Sequence, residues 1–213
     1  METQESSDPH GAAASEGEHA RPMRADARRN YEHLVAVARE VFDEQGGEAS
    51  MDAIARQAGV GVGTLYRHFP KRIDLVEAVY QNDVDELVLT AEKAHANLEP
   101  FEALSSWFDA FLRYALGKRR FLNELREAFE KHPDLQVGSR ERIEQCFSLL
   151  LDAAQDAGEA RADLDGADLM QLVGAMCISP QLAADQGRRL LTVLLDGLRV
   201  GSGDPTDAPS PLG

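Results

Sequence analysis

The stretch "ASMDAIARQAGVGVGTLYRHFPKR", residues 49–72, decides how the rest of the chain is interpreted. Apolar residues recur through it at helical spacing, although glycines and a proline interrupt it. Ser50 is a good N-cap for the helix that follows it, and Gly59 is a typical helix stop. A second short helix is expected to end at Phe69, because Pro70 disfavours helical geometry in the residue before it. The pattern predicts two short helices joined by a tight turn.

The spacing of three residues in this stretch is that of a helix-turn-helix. Ala55 is small enough to let a second helix cross closely, and Gly59 accepts a positive φ in the turn. Leu65 is placed to pack back onto the first helix. The outward face of the second helix would then meet a DNA major groove. The alternative, from spacing alone, is a small helical hairpin within a bundle. The predicted outward face consists of Val62, Gly63, Thr64, Tyr66, Arg67 and His68.

Length and composition limit the class of protein. The chain has 213 residues, of which 43% are hydrophobic, enough for one large domain or a small domain fused to a larger one. No apolar run is long enough to span a membrane, and the first 20 residues lack the pattern of a secretory signal. Cys146 and Cys177 lie in apolar helical patterns and suit a reducing compartment. A cytoplasmic protein is therefore expected.

Charge is distributed unevenly along the chain. The formal net charge is -15, and residues 1–20 contain five acids and no lysine or arginine. Residues 21–72 contain nine basic residues and seven acids, whereas residues 73–213 contain thirteen basic residues and twenty-five acids. An acidic whole argues against non-specific binding to nucleic acid, but a local basic face can still bind a phosphate backbone.

Helical periodicity dominates the rest of the sequence. Period-two alternation bounded by turns is lacking, so the chain is predicted to be all-α with about nine helices. The termini are rich in Ser, Gly, Ala, Glu and Pro without periodicity and are expected to be disordered. The predicted helices lie at about 26–45, 51–58, 62–68, 71–95, 101–117, 120–131, 134–157, 166–178 and 185–199.

The literal sequence of residues 38–79 resembles the tetracycline-repressor (TetR) family of bacterial transcription regulators. The resemblance is carried by "AREVFDEQGGEASMDA" and "IARQAGVGVGTLYRHFPKRIDLVEAV", and it extends over about residues 27–80. Two departures stand out: Gly61 occupies a position where the family often has a capping Ser, and Lys71-Arg72-Ile73 replaces the usual Ser-Lys-Glu. The resemblance implies a disordered tail (1–23), a three-helix DNA-binding head (24–70), a helical regulatory and dimerisation domain (71–200) and a second tail (201–213).

The resemblance also implies roles for individual residues. Positions 64 and 66 would contact phosphates or bases, positions 68 and 72 phosphates, and positions 62 and 63 base edges. Arg67 would contact DNA, solvent or Glu77. Arginines beside the first helix would form an arm toward DNA or simply a solvated helix start. The predicted DNA-binding residues are Arg28, Arg29, Ser50, Val62, Gly63, Thr64, Tyr66, Arg67, His68, Lys71 and Arg72.

Residues 71–200 would supply dimerisation and ligand binding. The segments 166–178 and 185–199 are apolar on more than one face, which favours a homodimer interface over the alternative of central core helices. A pocket for a small-molecule effector would lie among the middle helices, with ordinary core as the alternative for each candidate, and Gln145 is a further polar candidate. The predicted ligand-binding residues are Trp107, Phe108, Phe111, Tyr114, Arg126, Phe129, Phe147 and Met176.

Other functional classes have weaker support. The sequence contains no Gly-rich phosphate loop, no nucleophile elbow and no His/Cys/carboxylate set at metal-ligand spacing. Neither catalytic residues, a metal site nor a cofactor is therefore expected. A helical scaffold is the remaining rival to a DNA-binding regulator. We expect a dimeric repressor that binds a double-stranded, (pseudo)palindromic operator and is released by an effector, with an activator as the alternative.

Overall fold

Nine α-helices and two short 3-10 helices make up the part of the chain that the structure describes. The computed structural model describes residues 16–178 and 182–200. The predictions for residues 1–15 and for the second tail, 201–213, lie outside these ranges. The α-helices are α1 (Glu16–Gln45), α2 (Met51–Gln57), α3 (Val62–His68), α4 (Arg72–Asn97), α5 (Pro100–Gly117), α6 (Leu122–Lys131), α7 (Pro133–Asp156), α8 (Gly166–Ile178) and α9 (Ala184–Leu198).

The all-α prediction and the order of the helices are confirmed. Differences are confined to helix ends, with one exception in the middle of the chain. The segment predicted as a single helix over 120–131 begins as a 3-10 helix, Lys118–Phe121, and becomes α-helical at Leu122. No helix in the described ranges is both long enough and apolar enough to cross a bilayer.

α1 begins earlier than the sequence pattern indicates. Residues 16–23 were expected to be disordered, but they form the first turns of α1. The prediction is wrong for these residues because it relied on apolar periodicity, which residues 16–23 lack. Glu16, Glu18, Ala20 and Arg21 favour helix intrinsically, whereas Gly17 and Pro22 do not. The first buried residue on α1 in the described range is Leu34.

The N-terminal helices form a small head around the predicted apolar stripe of α1. Leu34, Ala38, Val41 and Phe42 are fully buried and belong to the same core as Ile54 of α2. α2 is capped by Ser50, whose hydroxyl accepts a hydrogen bond from the Ala53 N–H. α1, α2 and α3 thus form the three-helix unit expected of a helix-turn-helix head.

α4 joins this head to the C-terminal helices. It packs against α1 on the head side and against α5, α6 and α7 on the other side. Beyond it, α5 contacts α7 and α9, and α8 lies on α7. α4 therefore takes part in both packing units.

An ion pair between α1 and α4 lies at this junction. The Nε of Arg39 is 3.0 Å from Oδ1 of Asp83, whose side chain is only 11% exposed, and a second guanidinium nitrogen donates to Glu86 at 2.7 Å. Burial raises the pKa of Asp83 to about 6, Arg39 opposes the rise, and the negative charges of Glu86 and Asp43 add to it. The ionised carboxylate is therefore held at a cost in the folded protein.

Replacing this carboxylate with a neutral amide should change how stability depends on pH. A raised folded-state pKa contributes stability that is present below about pH 4 and is lost as pH rises through about 6. We therefore expect Asp83→Asn to match the parent near pH 4 and to exceed it by about 1–3 kcal/mol at pH 8. Chemical denaturation at both pH values measures the difference. Asp85→Asn, which neutralises an exposed carboxylate of the same helix that pairs with Arg142 of α7, is the control for the loss of one negative charge.

Candidate nucleic-acid interface

The turn between α2 and α3 is a Schellman motif. The Val60 N–H donates to the Ala55 carbonyl at 3.0 Å, and the Gly59 N–H donates to the Arg56 carbonyl at 3.2 Å. Gly59 has a φ of +68°, a conformation that side-chain-bearing residues seldom adopt. The sequence therefore folds here as predicted, with glycine at the one position of the turn that requires it.

α3 divides into a packing side and an open side. Leu65 is fully buried and anchors the helix to the head core, together with half-buried Val60 from the turn. Four residues of the predicted outward face are exposed, and Thr64 and His68 are half-buried at its edges. The N-cap position is taken by Gly61 in extended geometry with no side-chain cap. The exposed four are Val62, Gly63, Tyr66 and Arg67.

The C-terminal end of α3 rests against α1. The His68 ring lies 6.4 Å from the Tyr31 ring, edge to face, and its Nε2 is 3.4 Å from the Asn30 amide nitrogen. Tyr31 also contacts Phe69, with ring centroids 5.1 Å apart. Asn30 and Tyr31 were not among the predicted site residues, because they precede the apolar stripe of α1 and the sequence pattern did not indicate that they pack against α3.

Basic side chains surround the open side of α3. Arg67 has no ion-pair partner among the described residues, and Glu77, its predicted alternative partner, instead lies 3.4 Å from His132. Lys71 is exposed; its backbone N–H donates to the Asp74 carboxylate at 2.8 Å, and its carbonyl accepts from the Asp74 N–H at 3.1 Å. These two cations are free to meet a polyanion.

The arginines of α1 and the N-cap serine have local partners. Arg28 donates to Glu32 at 2.8 Å, and Arg29 pairs with Asp26; both pairs are solvent-exposed contacts within one helix. Exposed pairs of this kind contribute little energy, so a phosphate can replace the carboxylate. Ser50 uses its hydroxyl as the N-cap of α2 and remains exposed.

Arg72 differs from its predicted role. Its guanidinium donates to the backbone carbonyls of Ala49 and Gly47 and to Glu124 of α6, the last at 3.1 Å. It also lies over the Phe42 ring, 5.0 Å from the centroid. Three hydrogen bonds from the guanidinium to groups of the protein compete with the predicted phosphate contact. Sequence analysis missed Glu124, which is 52 positions away along the chain.

The predicted ligand residues are mostly close-packed core. Phe147 of α7 is surrounded by rings of α5, with centroid distances of 4.7 Å to Trp107, 5.3 Å to Phe108 and 5.3 Å to Phe111. Four surface clefts of about 220–370 Å³ open on the described residues, and of the predicted ligand residues only Gln145 lines one of these four. Arg126 is exposed rather than directed inward. The alternative of ordinary core is thus favoured for the α5 and α7 rings.

A more polar cluster lies between α4, α5 and α6. Tyr80 contacts the Phe129 ring at 5.2 Å, edge to face, and the Tyr114 ring at 6.4 Å. Phe129 is only half-buried, unlike the rings around Phe147. The Tyr114 hydroxyl is buried and interacts with the side chain of Tyr80, although the hydrogen-bond geometry is poor. Oε1 of Glu77, also on α4, is buried 3.4 Å from Nε2 of His132. Met176, the remaining predicted ligand residue, is half-buried on α8.

α8 and α9 expose apolar side chains to solvent. Leu172 on α8 is 51% exposed, and Val193 on α9 is 69% exposed. Leu190 on α9 adds to this exposed set, whereas Leu194 and Leu195 pack partly against the core of their own subunit. Exposed apolar residues on both helices agree with the surplus apolar faces seen in the sequence.

Two sequence profiles match the chain. Residues 34–79 match that of bacterial regulatory proteins of the tetR family, and residues 99–200 match the C-terminal domain of SbtR-like transcriptional regulators. An HTH-type transcriptional regulator of Staphylococcus aureus (strain USA300) is 34% identical over 105 residues, which is 47% of this chain and 55% of that protein. The chain therefore spans about half the length of the curated relatives that it matches.

Solved structures extend the similarity to most of the chain. A TetR transcriptional regulator from Streptomyces coelicolor is 38% identical, with a TM-score of 0.71 over 79% of this chain and 98% of that one. A TetR transcription regulatory protein from Mycobacterium vanbaalenii is 37% identical, with a TM-score of 0.65 over 84% and 100%. The regulator PfmR from Thermus thermophilus, at 23% identity and a TM-score of 0.54 over 78% and 98%, shares the fold.

Two glycine-to-alanine substitutions should have different effects on stability, one in the α2–α3 turn and one at the N-terminal tip of α3. Gly59→Ala places a Cβ at φ +68° and should destabilise the protein by about 1 kcal/mol. Gly63→Ala adds a methyl group to an open helical position and should be neutral or stabilising by up to about 1 kcal/mol. Thermal unfolding followed by circular dichroism measures both. Equal melting temperatures for the two variants would contradict the assigned turn.

Proposed function

Because the chain belongs to the TetR family of bacterial transcription regulators, we propose that it binds an operator as a homodimer and is released by a small-molecule effector. A repressor is the form of regulation that we propose. Such a protein works in the cytoplasm, where the bacterial chromosome lies. Its DNA-reading element is α3, and its regulatory and dimerising elements lie in residues 71–200.

The open side of α3 is the observation that carries the proposal. One fully buried residue, Leu65, holds the helix to the head, and the opposite side exposes a hydroxyl, a guanidinium and a small apolar tip. A helix inside a bundle would have more than one side chain to bury. A short helix that is held out in this way fits the major groove, with its N-terminal residues toward the base edges.

Position on α3 separates the proposed contacts into two groups. Val62, Gly63 and Thr64 lie at the N-terminal tip and are proposed to read base edges. The Tyr66 hydroxyl and the Arg67 guanidinium lie along the exposed side, and Lys71 follows at the cap of α4; these groups suit phosphate oxygens. His68, with Arg28 and Arg29 of α1, is placed to extend the phosphate contacts beyond the groove.

A second copy of the chain is the proposed partner of α8 and α9. The exposed apolar residues of these helices would be buried by a symmetric interface, and C2 dimers are the commonest closed assembly. A dimer is also what two heads on a two-fold operator require, since half-sites are about one helical turn apart, or a multiple of it. The assembly and the DNA geometry therefore support the same proposal.

The effector is proposed to be a small apolar or amphipathic molecule that enters at the α4–α5–α6 cluster. Phe129 is half-buried, whereas the rings of Tyr80 and Tyr114 in the same cluster are buried. The Glu77 and Tyr114 oxygens lack a well-formed hydrogen bond and offer polar groups to a ligand. Binding there would displace α6 against α4. An effector that prefers one spacing of the two heads would shift the dimer toward that spacing and weaken operator binding.

Titration of the intact protein with DNA tests the main proposal. The first probe is the region upstream of the protein's own gene, and a scrambled duplex of equal length is the control. A regulator should bind the upstream duplex more tightly than the scrambled one at moderate salt. A helical scaffold would bind neither.

Substitution of two lysines, one at the N-cap of α4 and one near its far end, should distinguish a direct phosphate contact from the general effect of removing a positive charge. Lys71→Ala keeps the backbone hydrogen bond to Asp74 and removes one exposed cation near α3. It should weaken binding to operator and scrambled DNA alike and lower the salt slope by about 0.9 for each head. Lys93→Ala removes the same charge near the far end of α4 and should leave the slope unchanged. Tyr66→Phe should lower affinity without altering the slope, because no charge is lost.

Salt-dependent titrations read out all three variants. An unchanged salt slope for Lys71→Ala, or an equal decrease in slope for Lys93→Ala, would show that Lys71 does not contact the phosphate backbone.

A charge on α9 should prevent dimerisation. Val193→Glu places a carboxylate at the most exposed large apolar residue of that helix, and burying it unpaired costs several kcal/mol, so the dissociation constant should rise at least about 100-fold. Val193 is preferred to Leu194 or Leu195, which also support the fold of one subunit. Val137→Glu makes the same change on α7 and should leave the dimer intact. Light scattering over a concentration series measures both, and a stable Val193→Glu dimer would place the interface elsewhere.

A further inference from the structure

Arg72 ties together three segments that are distant in the sequence. The side chain starts at the first residue of α4 and reaches back to the Gly47 and Ala49 carbonyls, in the connection between α1 and α2. Its other partner, Glu124, belongs to α6 in the regulatory domain. The ring of Phe42, near the end of α1, covers the face of the guanidinium. One side chain therefore links the head, α4 and α6.

The backbone of the α1–α2 connection lies close to the Arg72–Glu124 pair. Glu124 Oε1 would lie only 3.4 Å from a Cβ added at Gly47, so the backbone passes close to the carboxylate. Both Arg72 and Glu124 are about one-quarter exposed, which limits competition from water. An arginine fork can donate to two carbonyls and a carboxylate at once while it lies on a ring, and a lysine ammonium cannot reproduce that arrangement.

We propose that Arg72 is a positioning residue: with Glu124, it clamps the α1–α2 connection to α6 and so fixes the orientation in which α2 and α3 are presented. The clamp bears on the proposed regulation, since α6 also carries Phe129, which contacts Tyr80 in the core. A displacement of α6 would withdraw Glu124 from Arg72 and release the carbonyls of the connection.

A clamp and a phosphate contact give opposite results when Glu124 is removed. If Arg72 serves DNA, Glu124 competes with the phosphate, and its loss should raise affinity and steepen the salt slope. If Arg72 is a clamp, loss of Glu124 loosens the head and lowers affinity without a change in slope. The sign of the effect therefore separates the two roles.

Glu127→Ala is the matched control for Glu124→Ala. Both glutamates lie on α6 and line the same cleft beside Lys71, but the ion pair of Glu127 within the described residues is with Lys131, one turn away on the surface. The control thus reports the general gain in DNA affinity from removing one negative charge. Relative to Glu127→Ala, we expect Glu124→Ala to bind operator about three- to tenfold more weakly, with an equal salt slope. Equal or tighter binding would overturn the clamp.

Arg72→Lys gives a second test that preserves charge. Lysine binds phosphate as a point charge, so a phosphate contact would survive the substitution with nearly unchanged affinity and salt slope. The clamp requires the arginine fork, and the variant should therefore lose affinity as Glu124→Ala does. Retained affinity in Arg72→Lys would contradict the clamp and support a phosphate contact by residue 72.

Hydrogen exchange tests the clamp without DNA. In the intact free protein, amides of residues 46–57 should exchange about three- to tenfold faster in Glu124→Ala than in Glu127→Ala, and amides of α9 should not change. This readout stands even if the wild-type protein fails to distinguish operator from scrambled duplex, which would reject the proposed function and leave the clamp intact. Unchanged exchange in residues 46–57 would reject the clamp whatever the DNA result.

Discussion

A seven-residue helix is not stable in water by itself, so α3 depends on the burial of Leu65. The Schellman turn at Gly59 sets the crossing of α2 and α3 and brings Leu65 into the head core. Because Leu65 on the inner side and His68 at the C-terminal end hold the helix to the head, the outer side has no packing task. This division allows Tyr66 and Arg67 to remain exposed without weakening the fold. Stability and recognition are thereby assigned to different residues of the same short helix.

The charge distribution complements this geometry. The formal net charge of the chain is -15, and residues 73–213 hold most of the acids. An acidic body repels nucleic acid in most orientations, whereas exposed Lys71 and Arg67 lie beside the open side of α3. We therefore expect local attraction to a phosphate backbone at this end of the molecule. Such a distribution disfavours non-specific adhesion while leaving the approach of the head to DNA favourable.

Local patterns made the fold predictable, and distant contacts did not. Apolar periodicity located the helices, and the spacing of Ala55, Gly59 and Leu65 located the turn, because both follow from residues close together in sequence. The sequence placed a cation at position 72 but gave no sign of its partner Glu124, 52 positions away. The early start of α1 was missed because residues 16–23 carry no apolar stripe. Trp107 and Phe147 were candidates for a pocket because core and pocket use the same residue types, and only their ring distance identifies close packing.

The central claim is that two copies of α3 enter successive major grooves on one face of a duplex. Hydroxyl-radical footprinting of genomic DNA bound by the intact protein tests it most directly. The account predicts two protected half-sites related by a two-fold axis, with centres about 10–10.5 base pairs apart or a multiple of that spacing. Protection of one isolated segment, protection without symmetry, or no protection at any salt concentration would contradict it.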